Sequence, residues 1–326
     1  MFFSGMASLR IVVLDGYTMN PGDLSWKELE ALGDVTIYDR TPPELVVERC
    51  EGAQMALTNK TVLNAEQIKA LPDLQYIGVL ATGINVVDLE AARAQGVAVT
   101  NVPAYSTDSV VQMVFAHLLH YAQRVAAHDA AVKAGGWSAS SDFTFTLAPL
   151  LELAGRRLGV VGLGSIGRGV AKVAGAFGME VVAQTRTQPE SLPEGVQALV
   201  GLDELLRSSD VVVLCCPLTS ETQHLINAQS LSHMKTDAVL INTGRGPLVD
   251  EDALAAALKQ GEIAWAGLDV LGQEPPAVDN PLIGIPNCSI TPHIAWATKE
   301  ARARLYAQVI RNIEAFRAGE RLNRVD

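Results

Sequence analysis

Three glycines, Gly162, Gly164 and Gly167, punctuate the segment Leu158-Gly-Val-Val-Gly-Leu-Gly-Ser-Ile-Gly167. An apolar run, a glycine turn and a helical pattern in that order are what a dinucleotide-binding strand, turn and helix require. The first glycine permits the tight turn, the second lets the backbone approach a pyrophosphate, and the third lets helix and strand pack closely. The helix N-terminus then presents unpaired N–H groups and a positive dipole end to the phosphates. Ser165 and Ile166 lie in this turn. Three later segments carry reactive side chains at the ends of apolar runs. Ile241-Asn-Thr-Gly-Arg-Gly-Pro-Leu-Val-Asp250 holds Arg245, Gly267-Leu-Asp-Val-Leu-Gly-Gln-Glu-Pro-Pro276 holds Asp269 and Glu274, and Thr291-Pro-His-Ile-Ala-Trp-Ala-Thr298 holds His293 and Trp296. A guanidinium fork can bond two coplanar oxygens at once. A carboxylate beside an imidazole selects its tautomer. Taken singly, each residue has an ordinary reading, Arg245 as a surface charge, His293 as a packed or solvated side chain and Glu274 as the end of a strand. Their joint order carries the functional reading.

The elements that must position these residues are legible as alternating periods. Leu9–Asp15, Val35–Tyr38, Gln54–Leu57, Gln75–Leu80 and Val97–Val102 read as short buried strands. Leu24–Leu32, Glu44–Glu51, Ala65–Leu71 and Val87–Ala94 between them have helical spacing. Such alternation predicts a parallel sheet covered on both faces. A long helix follows Asn101-Val-Pro103, with Val110, Val111, Val114, Phe115, Leu118 and Leu119 on one side. His117, His120, His128, His224 and His233 have no motif around them and read as helix or surface residues. A second series of six strands is expected at Arg157–Val161, Glu180–Thr185, Asp210–Cys215, Ala238–Asn242, Ala264–Val270 and Cys288–Thr291. The strongly helical tail from Thr298 to Phe316 has no sheet of its own to cover and is expected to fold back on the first domain. Because the phosphate turn sits mid-chain, a domain-sized unit without such a turn precedes it.

The chain has 326 residues, enough for two domains, and 48% of them are hydrophobic, as a packed globular protein requires. A net charge of −11 argues against nucleic acid as a partner. The apolar stretches are too short and interrupted to span a bilayer. Met1–Ser8 lacks the basic segment and long apolar core of a signal peptide, and Met6 is an alternative start. The cysteines Cys50, Cys215, Cys216 and Cys288 have neither metal-ligand spacing nor the density of a disulfide framework, so no metal and a reduced, cytoplasmic setting are expected.

Together with the mid-chain glycine turn, the three late segments resemble the D-isomer-specific 2-hydroxyacid dehydrogenases, from Ile11 to about Phe316. Leu80-Ala-Thr-Gly-Ile-Asn-Val-Val-Asp88, Asn101-Val-Pro-Ala-Tyr-Ser-Thr-Asp-Ser-Val110 and Pro292-His-Ile-Ala-Trp-Ala297 look most like the glycerate dehydrogenase/hydroxypyruvate (glyoxylate) reductase branch. The resemblance implies an α/β fold of two doubly wound parallel-sheet domains with an interdomain cleft. A flavodoxin-like substrate domain would comprise residues 1–103 plus 296–326, and a Rossmann dinucleotide-binding domain, residues 104–295, would be inserted in it. It implies NAD(P)H-dependent reduction of a small 2-keto acid, hydroxypyruvate or glyoxylate, to the D-2-hydroxy acid. Arg245 would clamp the substrate carboxylate and keto oxygen, Glu274 would orient His293, and His293 would be the general acid/base. Thr82 and Gly83 would hold the substrate carboxylate through backbone N–H groups. Lys60 and Trp296 are further substrate-facing candidates. A homodimer is also implied. Two alternatives of the same fold stay open: a dinucleotide-sensing interaction protein, and an oxidoreductase acting on a substrate that is not a keto acid.

The remaining cofactor contacts follow by resemblance. Cys216, Pro217 and Thr222 would lie beside the adenosine, Thr243 and Gly244 near the nicotinamide, Asp269 on the carboxamide, and Thr107 would reach the cofactor from the long helix. Relatives that use NAD place an acidic residue about twenty positions past the glycines to accept bonds from the ribose. Here that strand ends in Thr185, Arg186 and Thr187. Loss of the carboxylate removes repulsion toward a 2′-phosphate, and Arg186 supplies a partner for one. NADP(H) is therefore the expected preference, with NAD(H) also accepted. The alternative for Arg186 is a solvated loop charge.

Overall fold

The structure, a computed structural model, describes residues 9–326, and the readings of Met1–Ser8 and Met6 lie outside the described residues. The chain divides into two compact units. One runs to Ser106 and resumes over Ala297–Asp326, and the other is Thr107–Trp296.

The first unit is built on five parallel strands, β1 (Arg10–Val13), β2 (Asp34–Ile37), β3 (Met55–Thr58), β4 (Tyr76–Val79) and β5 (Ala98–Thr100), in the order β2-β1-β3-β4-β5. Strands β3, β4 and β5 are buried at every position, so they read as continuous apolar runs and do not alternate. One face of the sheet packs Val12, Leu14, Ala56, Ile77, Val79, Val97 and Val99 into a common core. The C-terminal helix, Lys299–Arg317, belongs to this unit, and its Phe316 ring lies 5.0 Å from the ring of buried Tyr76. Thr298 caps that helix by accepting from the Ala301 N–H, a contact worth about 1 kcal/mol. Arg302 anchors the helix with a fork on Asp23 (2.6 and 2.7 Å), and this pairing holds the Asp23 carboxyl below its usual range.

The second unit holds seven parallel strands: β6 (Arg157–Val161), β7 (Glu180–Gln184), β8 (Val196–Leu199), β9 (Val211–Leu214), β10 (Val239–Asn242), β11 (Trp265–Leu268) and β12 (Cys288–Ile290). Their order is β12-β11-β10-β9-β6-β7-β8. The expected six become seven because Val196-Gln-Ala-Leu199 forms an edge strand after β7. That segment is short, only partly buried and joined through an irregular register at Val181/Val182, so it has no clear apolar run to announce it. Side chains of the central strands alternate between two cores. Val212, Leu214 and Leu240 face one, and Val211, Val213, Val239 and Ile241 face the other. Helices therefore cover both faces, among them α1 (Thr107–Gln123), α2 (Ser165–Ala176) and α3 (Glu251–Gln260). The strand order reverses direction between β6 and β9. In an open α/β sheet, the crevice at the carboxyl ends of such strands is the preferred ligand site.

Candidate active site

The glycine turn meets the geometric demands of its three positions. Gly162 has φ +100, and an added Cβ would lie 2.7 Å from the Cys216 backbone nitrogen. At Gly167 an added Cβ would lie 2.0 Å from the Gly162 carbonyl oxygen. At Gly164 it would meet nothing within 4 Å. The outer two glycines thus serve the fold, and the middle one leaves open space beside an exposed turn. Gly164 is also the N-cap of α2 and gives the helix no side-chain cap, so the first turn keeps its N–H groups available for an anion. Ser165 is exposed and Ile166 half-buried there. A pyrophosphate fits this cradle by the open space and by the donor chemistry.

The rest of the expected cofactor edge lies around the same strand ends. Thr185, Arg186 and Thr187 directly follow β7, Arg186 is exposed, and the Thr185 hydroxyl donates to the Thr187 carbonyl (3.3 Å). Cys216 and Pro217 follow β9, and Thr222 closes their loop by donating to the Pro217 carbonyl (2.7 Å). Burial pushes the Cys215 thiol up to about 12 and raises Cys216 as well, which leaves both as neutral packing groups. Thr243 is buried and Gly244 half-buried after β10. A Cβ at Gly244 would make only ordinary contacts at 3.5 Å, so the fold does not require glycine there. Thr107 opens α1 and is half-buried.

Arg245, Glu274 and His293 come from loops that follow three neighbouring strands, β10, β11 and β12. The Arg245 turn is braced by Asn242, whose side chain donates to the Arg245 carbonyl (2.9 Å) and accepts from the Gly244 N–H (3.0 Å). Gly246 lets this turn lie against the next loop, since a Cβ there would fall 1.9 Å from the Leu271 carbonyl oxygen. Glu274 accepts from the Leu271 N–H (3.0 Å) through one oxygen and meets His293 Nδ1 at 2.5 Å through the other. That contact leaves Nε2 as the free end of the ring for chemistry. The His293 side chain is 25% exposed, so it is reachable.

The backbone of His293 has φ 53, in the left-handed region. Asp269 holds it there. The His293 N–H donates to the Asp269 carbonyl (2.8 Å), the Ile294 and Ala295 N–H groups donate to the Asp269 carboxylate (3.0 and 2.8 Å), and so does the Thr291 hydroxyl (2.6 Å). Burial raises the Asp269 carboxyl above its ordinary range, and these donors together with the nearby His293 pull it back. Helix α1 reaches the same turn through Ser109, whose hydroxyl donates to the Ala295 carbonyl (2.5 Å). It reaches Thr291 through His117 (3.2 Å). His117 is therefore buried, contrary to the expectation of a helix or surface residue. The missed signal was its spacing from Val110 and Val114, which places it on the apolar face of the helix.

Lys60, Thr82, Gly83 and Trp296 complete the sequence candidates. In the first unit, Lys60 follows β3, and the Asp15 carboxylate holds its loop by accepting from the Asn59, Lys60 and Thr61 N–H groups (2.7, 2.5 and 2.8 Å). Thr82 and Gly83 follow the adjacent strand β4, and the Thr82 hydroxyl donates to the Val102 carbonyl (2.8 Å). Asn59 links the two loops by donating to the Leu80 carbonyl (2.6 Å). Trp296 is half-buried at the end of the second unit. Among the described residues, no group of three or more His, Cys, Asp or Glu side chains could hold a metal ion, and no helix is long and apolar enough to cross a membrane.

Residues 115–295 match the family described as "D-isomer specific 2-hydroxyacid dehydrogenase, NAD binding domain". A hydroxypyruvate reductase of Blautia hydrogenotrophica is 44% identical over 98% of this chain and 100% of its own. A glycerate dehydrogenase of Methylorubrum extorquens is 40% identical over 97% of this chain and 99% of its own. Among solved structures, an acyclic imino acid reductase in complex with NADPH and D-Arg is 31% identical, with a TM-score of 0.85, over 97% of this chain and 100% of that one.

Proposed function

Because the chain belongs to the D-isomer-specific 2-hydroxyacid dehydrogenase family, we propose that it reduces hydroxypyruvate or glyoxylate to the D-2-hydroxy acid and runs the reverse oxidation. The observation that carries this reading is the His293–Glu274 pair at 2.5 Å, set on a turn that Asp269 holds and one strand loop away from Arg245. The bound nicotinamide dinucleotide supplies the hydride on reduction and receives it on oxidation. Arg245 clamps the substrate carboxylate and keto oxygen with its fork. Glu274 keeps the Nδ1 side of His293 engaged, so Nε2 faces the substrate oxygen and exchanges its proton with it. Thr82 and Gly83 offer backbone N–H groups to the carboxylate, and Lys60 and Trp296 border the substrate. Asp269 acts first as the brace of the His293 turn, and its remaining acceptor capacity serves the carboxamide.

NADP(H) is the proposed preference. It rests on Thr185 standing where an acidic residue would accept from the ribose, and on the exposed Arg186 beside it. A homodimer is proposed through the run of exposed apolar side chains Val125, Val132, Trp137, Phe143 and Leu147, of which Phe143 is 91% exposed. A reducing, cytoplasmic setting is proposed from the four free cysteines.

The test is steady-state reduction of hydroxypyruvate, glyoxylate, pyruvate and phenylpyruvate, each with NADPH and with NADH. Faster turnover of the first two with NADPH is the expected result. Preference for NADH would reject the Arg186 assignment alone. Dinucleotide binding with no turnover of any keto acid would reject the substrate class. Light scattering of the purified protein checks the dimer, and a monomer at micromolar concentration would reject it.

A further inference from the structure

We infer that His117, a residue outside the assigned catalytic set, is a positioning residue. In its neutral Nε2–H form it orders Thr291 and Asp269 and thereby holds the turn that carries His293. The inference rests on the proposed role of His293, and its structural half can be tested without turnover.

The directions of the hydrogen bonds follow from counting protons. Thr291 has one hydroxyl proton, and it is spent on the Asp269 carboxylate at 2.6 Å. The Thr291 oxygen must therefore accept from His117 Nε2, which lies 3.2 Å away. A proton on Nε2 leaves Nδ1 as the acceptor, and it meets the Ser289 hydroxyl at 2.9 Å. Ser289 in turn is approached by the Trp265 indole N–H at 3.4 Å. The result is a one-way chain from Trp265 through Ser289, His117 and Thr291 to Asp269. Such chains polarise their members, so the His117 donor strengthens the Thr291 bond to the carboxylate.

The site is built for this ring. His117 is 4% exposed. Gly267 on β11 makes room for it, because an added Cβ would lie 2.7 Å from the His117 Cβ and 2.9 Å from its Cγ. Ser109, two turns earlier on α1, holds the far end of the same turn through Ala295. Of the groups around His117, only His120 on its own helix could carry a positive charge. Ser289 and Thr291 from β12 and the loop after it are neutral, as is Trp265 from β11, and Asp269 stands one hydrogen bond further away. Burial lowers the His117 imidazole to about 4, with His120 adding to the effect, so the ring keeps one proton at neutral pH.

The test uses the full-length protein. In protein carrying 15N-histidine, long-range 1H–15N correlations separate the two neutral tautomers. The Nε2–H form is expected from pH 8 down to about pH 5. An Nδ1–H form, or a charged ring in that range, would overturn the inference. His117→Leu removes both nitrogens, and His117→Gln returns a donor near the position of Nε2. Amide exchange at Ile294 and Ala295 is expected to quicken on the order of tenfold in the Leu variant and to return toward wild type with Gln. Equal exchange in all three would overturn the inference. In the keto-acid assay the Leu variant should lose about tenfold in kcat, with KM and the NADPH Kd within about twofold, and Gln should recover most of the loss. Faster exchange with unchanged kcat would sever the link to His293 and overturn the positioning role. If the Leu variant does not fold, Thr291→Val against Thr291→Ser repeats the comparison one bond closer to Asp269. A wild-type protein that reduces no keto acid would reject the substrate reading, while the tautomer and the exchange rates would still decide the network.

Discussion

His293 occupies a left-handed backbone conformation that costs on the order of 1–3 kcal/mol for a side-chain-bearing residue. Its neighbours offset that cost through three N–H bonds to Asp269. The strain has a purpose under the proposed mechanism, since it turns the ring toward Glu274 and leaves Nε2 available. His293→Ala is expected to lower kcat by about a thousandfold, the scale of a lost general acid/base, with the dinucleotide Kd unchanged. Stopped-flow turnover and fluorescence titration of the cofactor check this, and a matching loss of cofactor affinity would argue for a structural role. Arg186 poses the cofactor question at the same scale. Arg186→Ala should weaken NADPH about tenfold and leave NADH within twofold, since a lost charge-assisted bond to a 2′-phosphate is worth roughly 1.5–3 kcal/mol. Equal weakening of both dinucleotides in a binding titration would make Arg186 a bystander.

At the scale of elements, the strand–turn–helix of the second unit separates glycines needed for folding from one that leaves room. Gly167→Ala would drive a Cβ to 2.0 Å from the Gly162 carbonyl oxygen, backbone that cannot move without opening the turn. Expression of folded protein should fall, and its Tm should drop by at least several degrees, as expected of a loss of about 2 kcal/mol or more. Gly164→Ala meets no protein atom within 4 Å, so its Tm should stay near wild type while dinucleotide affinity falls tenfold or more. Calorimetry and cofactor titration on the two variants check the split, and the same phenotype in both would refute it. The pattern Gly-Leu-Gly-Ser-Ile-Gly was readable as a turn in the sequence because each glycine answers a local backbone demand. The edge strand β8 was not, because it forms by pairing with β7 and has little apolar pattern of its own.

At the scale of the whole molecule, burial of His117 ties stability to pH. Its folded-state proton affinity is depressed from the ordinary 6.5 to about 4. Between those values the unfolded chain binds more protons than the folded one, so stability falls as pH drops from about 6.5 toward 4 and levels off below. The contribution at neutral pH is at most about 3 kcal/mol. His117→Gln should flatten this limb of the Tm-against-pH curve relative to wild type, whereas its Tm above pH 7 need not exceed wild type. Parallel curves for the two proteins across pH 4–7 would show that the buried ring is not the titrating group.

The sequence by itself determined the family, the two α/β units and the order of the reactive segments, because periodicity, glycine turns and strand-end motifs are written in local stretches of chain. It also placed Arg245, Glu274 and His293 at the ends of successive strands, since a parallel sheet brings its carboxyl ends to one edge. Tertiary structure alone decided what holds them. Asp269 was expected to face a cofactor, yet its carboxylate is buried and accepts from Thr291, Ile294 and Ala295. His117 lies 174 residues from its partner Thr291, a pairing that no local period encodes. The physical reason is the same in both cases. A buried polar group must find its hydrogen-bond partners wherever the fold supplies them, and those partners are fixed only when distant strands and helices pack together.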